Sequence, residues 1–255
     1  MPPRILFITG TDTGVGKTML TALLLAHLRQ SGCHALALKP FCSGSRADAD
    51  LLHALQEGVL TLDEINPFFF SEPVAPLVAA RKHDRSIRLA EVLNHVHCIQ
   101  QRLGQAPARH AEGRRQALRA SHLTGDDHPC LLIEGSGGLL VPLAEGFSIL
   151  DLIAGLNCET VVVARNKLGT INHTLLTVRT LQSALRVPQA ARMRVVLMDS
   201  RYHDLSARSN GQVLEELLAP IPLISLPFLG PKCGSIAAIK KIAKKLKKVL
   251  AQILA

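Results

Sequence analysis

The chain has 255 residues, of which 47 % are hydrophobic but only 3 % aromatic, with one Tyr, no Trp and a formal charge of +9. That length suits one large α/β domain or two small ones, and the aliphatic bias favours sheets covered by helices on both faces. No apolar run reaches the roughly 18–20 residues of a membrane span, and the charge is local: seven lysines lie between Lys232 and Lys248, leaving about +2 elsewhere, so the basicity belongs to a tail and not to a nucleic-acid-binding fold.

The start, MPPRILFITG, runs straight into an apolar strand at residues 4–9 without the features of a secretory signal, and the expected compartment is the cytoplasm. Residues 18–30 carry helical periodicity and 34–39 (HALALK) read as the next strand, closing a βαβ unit. Further strands are expected at 130–134, 160–164, 194–198 and 221–225, with helices near 47–57, 86–104, 147–155, 170–186, 206–219 and 235–254. The alternation predicts a single doubly wound α/β domain over 1–255, with a mainly parallel sheet and helices on both faces. Residues 104–129, rich in Gly, Pro, His and Arg, read as a surface excursion. Cys33, Cys42, Cys98, Cys130, Cys158 and Cys233 form no C-x-x-C pair and read as reduced thiols.

Chemistry concentrates first in TGTDTGVGKT, residues 9–18. A strand before it and a helix after it give Gly14, Val15, Gly16, Lys17 and Thr18 the context of a phosphate loop: backbone amides wrap the anion, Lys17 reaches the β and γ phosphates, and Thr18 can ligate Mg²⁺. Five residues separate Gly10 from Gly16 where the usual pattern has four. Glu134 ends the apolar strand CLLIE at the carboxyl edge of the sheet, the edge where ligands bind in open α/β folds. Asp48 and Asp50 follow the second strand; each is a candidate metal ligand or simply a favourable charge at a helix start. Lys39 ends that strand before Pro40, pointing into the same crevice or snorkelling to solvent, and Ser43 follows in a loop.

GTDTGVGKT, KPFCSG, DA at 48–49, NPFFFSEPVAPLVAA, IEGSGGLLVPL and NKLGTINHTLLTV occur in the order and spacing of dethiobiotin synthetases. The resemblance runs from residue 4 to about 185. It implies a dimeric, Mg²⁺-dependent, ATP-driven ring-closing ligase in the phosphate-loop NTPase class. The family adds CO2 to one amine of 7,8-diaminopelargonic acid, phosphorylates the carbamate, and closes the ureido ring as the second amine expels phosphate. Carried onto this sequence, the resemblance gives Lys17 and Thr18 to phosphate and Mg²⁺, with Asp48 and Glu134 completing the metal shell and Asp50 as the alternative. It sets Thr13 beside the substrate, and Lys39 and Ser43 facing the carbamate and γ-phosphate. Gly169, Thr170, Ile171 and Asn172 become a helix start that takes the substrate carboxylate across a dimer interface, as exposed amides at a helix N-terminus can.

Family members commonly carry an asparagine that reads the purine where this chain has Asp199. A carboxylate only accepts hydrogen bonds, so Asp199 suits guanine better or indicates loose base selection. Phe68, Phe69 and Phe70 read either as local core or as a wall of the substrate path. The segment 235–254 segregates Ile239, Ile242, Leu246 and Leu250 from Lys240, Lys241, Lys244 and Lys248. Its apolar stripe either packs on the domain or lies on an anionic membrane. The membrane reading belongs to a rival class, the partition or positioning ATPases, whose loop typically opens with a lysine where this chain has Ile8 and Thr9. A closer rival, the amide ligases of cobyrinic acid type, normally adds a glutaminase domain that these 255 residues do not contain.

Overall fold

A computed structural model describes residues 2–105, 128–201, 204–230 and 233–255. From the amino terminus the elements run β1 (Arg4–Gly10), α1 (Lys17–Gln30), β2 (Ala35–Leu38), β3 (Phe41–Ser43), α2 (Ala47–Leu55), α3 (Leu62–Ile65), β4 (Phe68–Phe70), α4 (Pro76–Lys82) and α5 (Leu89–Gln105). Then come β5 (Cys130–Glu134), β6 (Pro142–Ala144), β7 (Phe147–Ser148), α6 (Ile149–Leu156), β8 (Glu159–Arg165), α7 (Thr170–Ala184), α8 (Val187–Ala190) and β9 (Met193–Met198). A 3-10 turn (Leu205–Arg208), α9 (Asn210–Leu218), β10 (Leu223–Leu226), α10 (Ile236–Lys245) and α11 (Lys247–Leu254) follow. The surface excursion expected at 104–129 falls mainly on residues 106–127, outside the described residues.

Six strands form the central sheet in the order β10-β9-β8-β1-β5-β2, every neighbouring pair parallel. β1, β5 and β8 are buried on both faces, which is why they read as unbroken Val, Ile and Leu runs. The chain leaves β1 toward β5 and β2 on one side and later fills β8, β9 and β10 on the other. The order therefore reverses at β1, and the loops at its carboxyl end flank the crevice where ligands bind in such sheets. Those loops hold residues 11–16, 135–141 and 166–169.

α1 packs its fully buried Leu20, Leu23, Leu24 and Leu25 into the core and carries α10 on its outer side. α11 reaches from α1 to β10. Ile239, Ala243, Leu250 and Ile253 are buried in this contact, while Lys240, Lys241, Lys244, Lys245, Lys247 and Lys248 are exposed. The expected helix at 235–254 is two helices meeting at Leu246, and the one at 206–219 is a 3-10 turn and a helix meeting at Ser209. At the second break Asp204 accepts from the Ala207 amide, a local bond that starts its own turn.

Two small sheets were not evident in the sequence. β3 and β4 pair in parallel, with Phe41 stacked on Phe68 at 4.8 Å between centroids, and β6 and β7 form a short antiparallel hairpin. Phe68 and Phe70 are core residues and Phe69 is half-buried beneath Arg46. Among the described residues no helix is long and apolar enough to cross a membrane.

Candidate active site

The turn from β1 to α1 wraps around its own lysine. Lys17 Nζ donates to the carbonyl of Asp12 at 2.8 Å and to that of Gly137 at 2.7 Å, so the side chain curls across the loop mouth. Gly16 caps α1 at φ 107, a left-handed backbone natural only to glycine, and a Cβ there would meet Met198 Cε at 3.1 Å. The 135–141 turn packs directly on this loop: a Cβ on Gly137 would lie 2.6 Å from Val141 Cγ2 and 3.6 Å from Thr13 Oγ1. Thr13 itself is exposed, its amide donating to Asp12 Oδ1 at 2.6 Å, and Gly14 and Val15 complete the arch.

Glu134 is the hub beneath the loop. Its side chain is fully buried at the end of β5, and its Oε1 accepts from Thr18 Oγ1 at 2.7 Å and from Lys39 Nζ at 2.6 Å. Lys39 also donates to the Gly135 carbonyl at 3.1 Å and lies 3.3 Å from Asp48 Oδ2. Asp48 is half-exposed at the start of α2, whereas Asp50 is exposed two residues along and joins none of these contacts. Positions two apart on a helix point to different faces, and only Asp48 faces Lys39.

Burial alone would lower the Lys39 ammonium, but the charges of Glu134 and Asp48 outweigh it and hold its pKa above the usual lysine value. Lys17 behaves oppositely: burial and the nearby Lys39 charge bring it down to about 8. Cys42 stands close by, yet burial pushes its thiol up to about 11, which leaves no thiolate to act as a nucleophile. The reactive groups here are therefore two ammonium ions, a hydroxyl and carboxylates, the set that stabilises charge on a transferring phosphoryl group.

Two buried candidate oxygens, Glu134 Oε2 and Ser43 Oγ, have no hydrogen-bond partner. Buried polar atoms are rarely left so. Among the described residues no three His, Cys, Asp or Glu side chains gather as a closed metal site. The two carboxylates and the Thr18 hydroxyl are hard oxygen donors of the kind Mg²⁺ takes.

Sequence reasoning missed Asn66. Its amide Nδ2 donates to the carbonyls of Lys39 at 2.8 Å and Pro40 at 3.2 Å, while its Oδ1 accepts from Arg46 Nε at 3.0 Å. The Lys39 amide donates to the Ile65 carbonyl at 2.9 Å, so the backbone of Lys39 is fastened on both sides. Only the position of Asn66 before Pro67, a common turn signal, marked it in the sequence.

At the carboxyl end of β8, Gly169 caps α7 at φ 90. Gly169 and Asn172 are exposed, Ile171 is half-buried, and the buried Thr170 Oγ1 has no partner. Asp199 follows β9, its amide donating to the Leu226 carbonyl at 2.9 Å and its Oδ1 accepting from the Ser200 amide at 3.0 Å.

A family model described as "AAA domain" matches residues 4–224. The ATP-dependent dethiobiotin synthetase BioD of Anaeromyxobacter sp. (strain Fw109-5) is 40 % identical over 184 residues, 71 % of this chain and 71 % of that one. That of Bacillus licheniformis is 39 % identical over 67 % of this chain and 64 % of its own, so the match spans just under two thirds of that relative. The Bacillus subtilis (strain 168) protein of the same name is 33 % identical over 240 residues, 91 % and 89 % of the two chains. Among solved structures, the MinC:MinD cell division protein complex of Aquifex aeolicus matches with TM-score 0.52 at 15 % identity, covering 96 % of both chains. MinD from the same organism matches with TM-score 0.51 at 16 % identity over 96 % and 97 %. At such identities these two show the fold alone.

Proposed function

The chain belongs to the ATP-dependent dethiobiotin synthetase family, and from that membership we propose how its residues carry the reaction. The enzyme joins CO2 to one amine of 7,8-diaminopelargonic acid, uses ATP to phosphorylate the carbamate, and closes the ureido ring as the second amine displaces phosphate, leaving dethiobiotin, ADP and phosphate. ATP is the phosphoryl donor.

A carbamate is a poor electrophile, and the work of the site is to place its oxygen in line with the γ-phosphate and to neutralise the charge that builds on the transferring oxygens. Lys17 leaves its carbonyl partners Asp12 and Gly137 to reach the β and γ phosphates, and the amides of Gly14, Val15 and Gly16 cradle them. Thr18, Glu134 and Asp48 would hold Mg²⁺, which would supply positive charge to neutralise the phosphates. Lys39 donates to the carbamate, Ser43 Oγ to the γ-phosphate, and Thr13 orients the diamine at the mouth. The helix start at Gly169, Thr170, Ile171 and Asn172 takes the substrate carboxylate of a partner protomer in a homodimer. The cytoplasm is the proposed compartment.

The observation that carries this reading is Glu134 Oε1, on which the loop hydroxyl of Thr18 and the ammonium of Lys39 converge. The test is phosphate release from ATP with the diamine and bicarbonate each supplied or withheld. Release that requires both, with dethiobiotin formed in equal amount, is expected; release indifferent to the diamine sinks the reading.

A further inference from the structure

Lys39 occupies the place that the metal reading gives to a cation. Its Nζ lies 2.6 Å from Glu134 Oε1 and 3.3 Å from Asp48 Oδ2, and it spends a further donor on the Gly135 carbonyl at 3.1 Å. The lysine side chain is 6 % exposed and that of Glu134 0 %, so the ammonium is the counter-ion that makes the buried carboxylate tolerable. Thr18 already uses the same Oε1, which leaves Oε2 as the open face of the carboxylate.

We propose that the Lys39 ammonium is a place-holder for the divalent cation between Glu134 and Asp48, and that arrival of the cation drives it off toward the reacting carbamate. This rests on Glu134 and Asp48 being the metal's carboxylates. A dication held by those two acids and an ammonium 2.6 Å from one of them repel each other strongly in a site of low dielectric. The ammonium can be displaced because it rides on a flexible four-carbon stem. Its backbone does not, being fastened by the Ile65 carbonyl and by Asn66 Nδ2. The movement is therefore a swing of one side chain about a fixed root, and metal loading and delivery of the lysine become one step. An enzyme without its metal keeps the lysine sequestered.

The test is the affinity of the nucleotide-free protein for Mn²⁺, read from the paramagnetic resonance of the free ion, in the wild type and in Lys39→Met, Lys39→Arg and Glu134→Gln. Removing the competing charge in Lys39→Met should tighten Mn²⁺ binding about tenfold, a coupling of ordinary size for linked sites. Lys39→Arg, which keeps the charge, should not tighten it, and Glu134→Gln should weaken it severely. Binding in Lys39→Met that is unchanged, weaker or beyond reach overturns the place-holder while a weakened Glu134→Gln leaves the metal reading standing; a Glu134→Gln protein that binds like the wild type removes both. Should Lys39→Met fail to fold, reductive methylation of the wild type decides: the peptide holding Lys39 should be modified slowly without cation and faster with saturating Mg²⁺. An unchanged rate overturns the proposal.

Discussion

Thr18 and Lys39 meet on one oxygen, Glu134 Oε1, from the helix start and the last strand end of the chain's first βαβ unit. The first residue comes from the start of α1 and the second from the end of the next strand in sequence, so Glu134 ties the two segments together. Replacing Lys39 with Ala should lower kcat about 10²–10³-fold, the scale of losing one donor to a transition-state oxyanion. The Kd for ATP should change little, because the proposal gives the nucleotide to Lys17 and the loop amides. Calorimetric titration with ATP beside steady-state kinetics separates the two, and an unchanged kcat removes Lys39 from the reacting centre.

The turn at 135–141 is predicted to govern nucleotide binding through a single glycine. Gly137 has φ 68, its Cβ would stand 2.6 Å from Val141 Cγ2, and its carbonyl accepts from Lys17 Nζ at 2.7 Å. Gly137→Ala should cost about 1–2 kcal/mol from the left-handed backbone and also tighten ATP binding, because the shifted turn no longer holds the Lys17 ammonium that the phosphates recruit. Gly146 has φ 76 with nothing within 4 Å of a Cβ. Gly146→Ala should therefore lose stability alone, and equal ATP affinities in the two variants would refute the link.

Much of this architecture was legible because its signals are local. β1, β5, β8 and β9 announce themselves as aliphatic runs, since a strand buried on both faces needs no polar alternation. Gly16, Lys17 and Thr18 are read from their place between a strand and a helix, and Glu134 from its place at a strand end. β3 and β4 were not legible: three residues each is too short for a period, and their pairing joins Phe41 to Phe68 across an intervening helix pair. Asn66 was missed for the same reason, its contact with Lys39 spanning 27 positions. Asp48 and Asp50 have identical chemistry, and only the observed rotation of α2 separates them.

At the opposite edge of the sheet, Glu159 is predicted to make the fold sensitive to acid. Partial burial would raise its pKa, but hydrogen bonds from Arg4 at 2.5 Å and Arg194 at 2.9 Å prevail and hold it below the ordinary glutamate value. A carboxylate depressed on folding contributes stability that is fully present above its unfolded pKa and lost as pH falls through the folded one. Urea melts should therefore show a loss that sets in below pH 4.5. Glu159→Gln should flatten that limb and cost about 2 kcal/mol near neutrality, the worth of charge-assisted hydrogen bonds.

The carboxyl-terminal helices should behave as part of the core. Leu250 is fully buried in α11, and Leu250→Ala should cost about 2–5 kcal/mol in urea unfolding. Lys244 is exposed on α10, and Lys244→Ala should stay within about 0.5 kcal/mol. Comparable small effects at both positions would mean that these helices do not need the domain.

Asp199 should loosen the choice of base. It directly follows Met198, whose side chain meets the position of a Cβ on Gly16 in the loop. Guanine offers two adjacent donors to such an acceptor, whereas adenine offers one donor and one acceptor, which an amide matches and a carboxylate does not. The wild type should accordingly accept GTP beside ATP. Asp199→Asn should raise the ratio of kcat/KM for ATP over GTP about tenfold, the yield of roughly 1.4 kcal/mol at a repaired hydrogen-bond pair. The readout is that ratio in both proteins under matched Mg²⁺. A wild type already strict for ATP, or a ratio untouched by the amide, would show that base selection lies elsewhere in the wall formed after β9.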